Sequence, residues 1–150
     1  MEKAGQDGLP VLHSLEELAE LLERHDGLYL RWSKGPGVDI ARTSSKDELT
    51  GIAMPGLSAN PLDVERWWDD RPLVLWAARR VYDYEHIPRE KGPQVRPWVL
   101  KGAEAGRGPD NEPLVVDVEP LCWLGDEVIE ASRTEVARHR EEWGPLKRGR

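Results

Sequence analysis

Apolar positions along the chain change period several times, and the changes mark out the elements. In HSLEELAELLERHDG, Leu15, Leu18, Ala19 and Leu22 recur at helical spacing. Ser14, followed by Glu17, forms a capping box that starts this helix, and Asp26-Gly27 ends it. LYLRWS (28–33) then alternates, with Leu28, Leu30 and Trp32 on one side and Tyr29, Arg31 and Ser33 on the other. That is the pattern of a strand with one buried face.

Residues 34–60 carry no sustained period: KGPG and MPGLS are breaks, and SSKDELTG has room for one helical turn. Asn60-Pro61 reads as an N-cap followed by proline at the first helical position, predicting a short helix over PLDVERWW. A longer helix is expected over about 72–86, with Leu73, Trp76, Ala77, Val81 and Tyr84 inward. Arg79, Arg80, Asp83 and Glu85 fall wholly or partly outside that stripe. IPREKGPQVRP is a loop, WVLKG (98–102) a short strand, and LVVDVEPLCWL (114–124) the most strand-like run. A C-terminal helix opens at Gly125-Asp126, with Ile129, Val136 and Trp143 seven residues apart. Helices and strands mix without strict alternation, which predicts a single α+β domain. The expected architecture is a small mixed or antiparallel sheet with helices packed mainly on one face. Residues 1–10 and 147–150 are expected to be flexible.

At 150 residues the chain suffices for one ordinary core. It contains no Phe but 7 Trp, so indoles must fill much of the interior, and each buried indole N–H wants an acceptor. The net charge of -7 repels phosphate backbones and anionic lipid at long range. Cys122 is the lone cysteine and is flanked by apolar residues, so it reads as an inert core thiol. The absence of a long apolar run or signal-like N-terminus points to a cytoplasmic protein with no membrane role.

The most promising stretch for a site is KGAEAGRGPDNEPLVVDVEP (101–120). Its glycines match neither a phosphate loop nor a dinucleotide fingerprint, and Pro109 and Pro113 prevent a helix from starting there. The expectation is a hairpin connection over 103–113, with Arg107 paired to Asp110 or Glu112. Arg107, Asp110 and Asn111 crowd a segment where backbone can approach a ligand, so they are candidate ligand-binding residues. Trp67 is another: Trp67 and Trp68 point about 100° apart on a helix, so one belongs to the core and the other can anchor a partner. The four histidines are scattered without ligand spacing, and no metal site is predicted. Arg79, Arg80, Arg89, Lys91 and Arg96 lie among aromatics, but Asp83, Glu85 and Glu90 interrupt them. A mixed-charge helix face explains that run better than nucleic-acid binding.

The order Arg31, Ser58, Glu112 resembles the ADP-ribosyltransferase superfamily. The resemblance implies that Arg31 grips NAD, Ser58 supports it, and Glu112 stabilises the ribosyl cation. LSANP lacks that family's Ser-Thr-Ser, and DNE is not its Glu-x-Glu or Gln-x-Glu. More of the chain is involved in a second likeness. LYLRWSKGP, PGLSANPLDVERWW, LWAARRVYDY, RPWVL, GRGPDNEPLV and WGPL resemble a family of small actinobacterial proteins, consistent with 15 Arg against 6 Lys. That family implies a bacterial stand-alone domain and no particular activity. Two functions are therefore expected as alternatives. One is a binding or regulatory domain that engages a protein or small ligand through 34–60 and 103–113, without a cofactor. The other is a minimal NAD-using transferase with Arg31, Ser58 and Glu112 as its catalytic residues.

Overall fold

The capping signal at Ser14 sets the first helix. In a computed structural model, which describes residues 8–36, 57–68, 71–83, 95–107 and 113–139, the Glu17 N–H donates to Ser14 Oγ at 3.1 Å. The Glu17 carboxylate turns back to accept from the His13 N–H at 2.7 Å, one residue before the cap. Helix α1 runs Leu15–Arg24 and buries Leu15, Leu18 and Ala19. Strand β2 (Leu28–Ser33) follows directly and buries Leu28, Leu30 and Trp32. Gly27 makes the turn between them with a φ of 69°, in the left-handed region that favours glycine.

The remaining strands are β1 (Val11–Leu12), β3 (Leu57–Ser58), β4 (Asn60–Pro61), β5 (Arg96–Arg107) and β6 (Pro113–Leu124). Helix α2 spans Leu73–Asp83 and α3 spans Asp126–Arg138. The sheet is ordered β1-β6-β5-β2-β4, with β3 also on β6. β1 runs parallel to β6 and the other pairings are antiparallel, so the sheet is mixed and the fold is α+β. Residues 57–61 join both sides of the sheet: β3 pairs with β6 and β4 pairs with β2. The sheet therefore curls until β2, β5, β6 and this short bridge form a closed ring of pairings.

The helices cover the outside of that curl. Leu18 of α1, Ala77, Ala78 and Val81 of α2, and Val128 of α3 pack on Leu28, Leu30, Trp32, Val99, Cys122 and Leu124. On the opposite face Trp98, Leu100, Val115 and Trp123 meet Leu57 and Ala59 of the bridge. A third cluster holds Trp68, Trp76 and Val136 between the helices. Most indole N–H groups find acceptors: Trp76 on the Leu62 carbonyl at 2.8 Å, Trp98 on Ser33 Oγ at 2.9 Å and Trp68 on the Pro72 carbonyl at 3.2 Å. Those of Trp32 and Trp123 are buried with no acceptor among the described residues.

Several elements differ from the sequence pattern. Asn60-Pro61 does not start a helix; it is the edge strand β4, and only Arg66–Trp68 forms a 3-10 turn. A proline without an N–H suits a sheet edge as well as a helix start, and Asp63 spends its carboxylate on the Gly27 and Leu28 N–H groups instead of on a helix end. β5 is much longer than 98–102, so 103–107 is ladder and not loop. Arg79, Arg80 and Asp83 are buried, not outside the α2 stripe. Arg79 Nε lies 3.0 Å from Asp83, one turn along the helix, and Arg80 Nε donates to the Pro61 carbonyl at 3.2 Å. In α3 the buried positions are Val128, Ser132 and Val136; Ile129 is partly covered, and Trp143 lies outside the described residues. The N-terminal end is held from Leu9 onward: Leu9 packs on the curled face, and the Pro10 carbonyl accepts from the Trp123 N–H at 2.9 Å.

Candidate functional site

β2 supplies the first two side chains. Its alternation, with Leu30 committed to the helix side, leaves Tyr29 and Arg31 on the opposite face. Register sets Arg31 beside Trp98, and Trp98 beside Trp123 on the next strand. The bridge supplies the third: Arg31 Nη1 donates to both the Ser58 carbonyl and Ser58 Oγ, the latter at 3.1 Å. Ser58 is in register with Leu114, and the Ala59 N–H donates to the Pro113 carbonyl at 3.1 Å. The C-terminal flank of 37–56 and both flanks of 108–112 thus meet at one rim, clasped by a guanidinium and a two-rung ladder.

Arg107 belongs to the same hairpin end, in register with Pro113. Its guanidinium lies 3.3 Å from Glu104 on its own strand. A register shift between Glu104 and Gly106 makes this pair possible. One extra residue in β5 rotates Arg107 onto the face of Glu104, which residues three apart on a regular strand do not share. Asp110, Asn111 and Glu112 lie outside the described residues. Trp67 is elsewhere: its ring stacks edge-on with Trp68 and Trp76, centroids 5.6 and 5.8 Å away, in the cluster between the helices. Trp68 is the core member of the Trp67-Trp68 pair, at 0% exposure.

Two residues join the rim that sequence order alone did not nominate. Burial foremost, then the Glu104 and Asp63 carboxylates, push the Tyr29 phenol above its ordinary ionisation range, while the Arg107 charge opposes them. Tyr29 and Glu104 are therefore electrostatic neighbours. The alternation of LYLRWS already set Tyr29 beside Arg31; the proximity of Glu104 depends on the longer β5. Because the folded chain keeps the phenolic proton where the unfolded chain releases it, Tyr29 lowers stability as pH rises above about 10. Glu104→Gln should bring the Tyr29 transition down and Arg107→Gln should raise it. An NMR titration of the ring checks both directions.

Asp63 fixes the near edge of the rim. Its Oδ2 accepts from the Gly27 N–H at 2.7 Å and its Oδ1 from the Leu28 N–H at 3.0 Å. The Leu62 N–H completes the clasp on the Leu28 carbonyl at 2.8 Å. Each hydrogen bond to a carboxylate contributes more than a neutral one, so Asp63→Ala is expected to cost about 2 kcal/mol. Asp63→Asn, which keeps one acceptor, should cost about half as much. Urea denaturation of the two variants tests the ordering.

Among the described residues there is no group of three or more His, Cys, Asp or Glu placed to hold a metal ion. None of the described helices is long and apolar enough to cross a membrane. Cys122 is buried and forms no disulfide. The chain belongs to a family of unknown function (DUF6098), which matches residues 5–144. No curated protein and no solved structure matches it.

Proposed function

We propose that this chain is a binding or regulatory domain that engages a protein or small ligand through 34–60 and 103–113, at the rim where Leu57–Ala59 meet Pro113 and Leu114. The domain acts without a cofactor and in the cytoplasm. The observation that carries this reading is the shared anchor. Ser58 and Ala59 are laced to Leu114 and Pro113, and Arg31 is fixed on Ser58, so two segments distant in sequence present themselves from one support. A contact surface assembled on rigid strands keeps its ordering cost low. Arg31, Tyr29, Glu104 and Arg107 line the support with both signs of charge, which suits a polar partner better than an apolar one.

A second reading draws on the same Arg31–Ser58 contact. In a minimal NAD-using transferase, Arg31 would grip the dinucleotide, Ser58 would hold Arg31 in place, and Glu112 would stabilise the developing cation. The contact supports the first two roles together, although one guanidinium nitrogen is already given to Ser58.

One experiment separates them. The purified protein is titrated with NAD while its melting temperature and nicotinamide release are followed, beside Arg31→Ala and Glu112→Ala. The binding reading expects no release and no shift with NAD. It also expects a partner isolated from the native host to bind at least about tenfold more weakly to Asp110→Lys, a difference of about 1.4 kcal/mol. An NAD-dependent shift with release that both alanine variants lose would replace the binding reading with the transferase. A partner indifferent to Asp110→Lys would remove the rim from the binding surface.

A further inference from the structure

No further inference is drawn: the strongest candidate, the buried Trp123 indole in the side-chain cluster on the curled face, holds an N–H with no acceptor among the described residues, but nothing in the structure shows a space beside it that a ligand could fill.

Discussion

Trp98→Ala should cost about 4 kcal/mol, the largest loss expected from any single truncation in the sheet. Trp98 is 0% exposed and is the central indole of the curled face. Its neighbours come from separate strands: Trp123 opposite it on β6, Arg31 opposite it on β2, and Leu57 and Ala59 of the bridge in the same cluster. Backbone ladders fix those strands, so the surrounding structure cannot collapse into the space left by the indole. The variant also deprives Ser33 Oγ of the donor it holds at 2.9 Å, although the Gly35 N–H still reaches that oxygen at 3.1 Å. Trp98→Phe separates the two contributions. It keeps most of the ring volume and loses the hydrogen bond, so a cost of about 2 kcal/mol is expected. For a domain whose total stability is on the order of 5–15 kcal/mol, the alanine variant should show a large fall in urea midpoint. Equal midpoints for the alanine and phenylalanine variants would mean that the ring volume contributes nothing. Because Trp98 lies beside Arg31, its loss should also loosen the Arg31–Ser58 clasp, and rim binding should weaken beyond what unfolding explains.

Where the fold was legible, the information was local. α1 carries its own start, stripe and stop, and β2 carries six alternating residues. The class, and the packing of helices chiefly on one face, follow from the order of such segments. Where the sequence misled, the deciding interaction came from far along the chain. Asn60-Pro61 satisfies the rules for a helix start, yet β2 is the neighbour that it meets. Arg79, Arg80 and Asp83 fit a wet helix face by periodicity, but the Pro61 carbonyl waits for Arg80, and the Arg79–Asp83 pair enters the interior together. The extent of β5 was hidden for a related reason. GAEAGR has the glycine content of a loop, and only the register against β6, with its three irregularities, shows that those residues are ladder. The site was legible to the same degree. The order Arg31 then Ser58 marked two residues that do touch, 27 positions apart. Tyr29 and Glu104, which complete the rim's electrostatics, required the correct length of β5. Trp67 was set apart from the rim by the tight aromatic packing of Trp68 and Trp76.

Gly102→Ala is the sharpest test of how tightly the sheet is curled. A Cβ at position 102 would lie 2.3 Å from Val115 Cγ1 and 2.9 Å from the Val116 carbonyl. The first neighbour is a core side chain at 1% exposure, with little freedom to move. The second is backbone in the facing strand. Neither can yield cheaply, and the Gly102 N–H is itself tied to the Gly27 carbonyl at 3.1 Å, so the strand cannot back away without breaking the β2 junction. Overpacking of this kind should cost about 3 kcal/mol. Gly106, four residues along the same strand, supplies the control: a Cβ there meets nothing within 4 Å. Gly106→Ala should be neutral or slightly stabilising, since it only narrows the freedom of the unfolded chain. Adding Val115→Ala to Gly102→Ala removes one of the two clashes. The pair should therefore be less destabilised than the sum of the single variants by about 1–2 kcal/mol, with the carbonyl clash left as the remainder. Urea midpoints of the four proteins measure that coupling. Additive costs, or a Gly102→Ala variant as stable as Gly106→Ala, would mean that β5 and β6 lie farther apart at the bulge, and the closed ring that supports the rim would open with them.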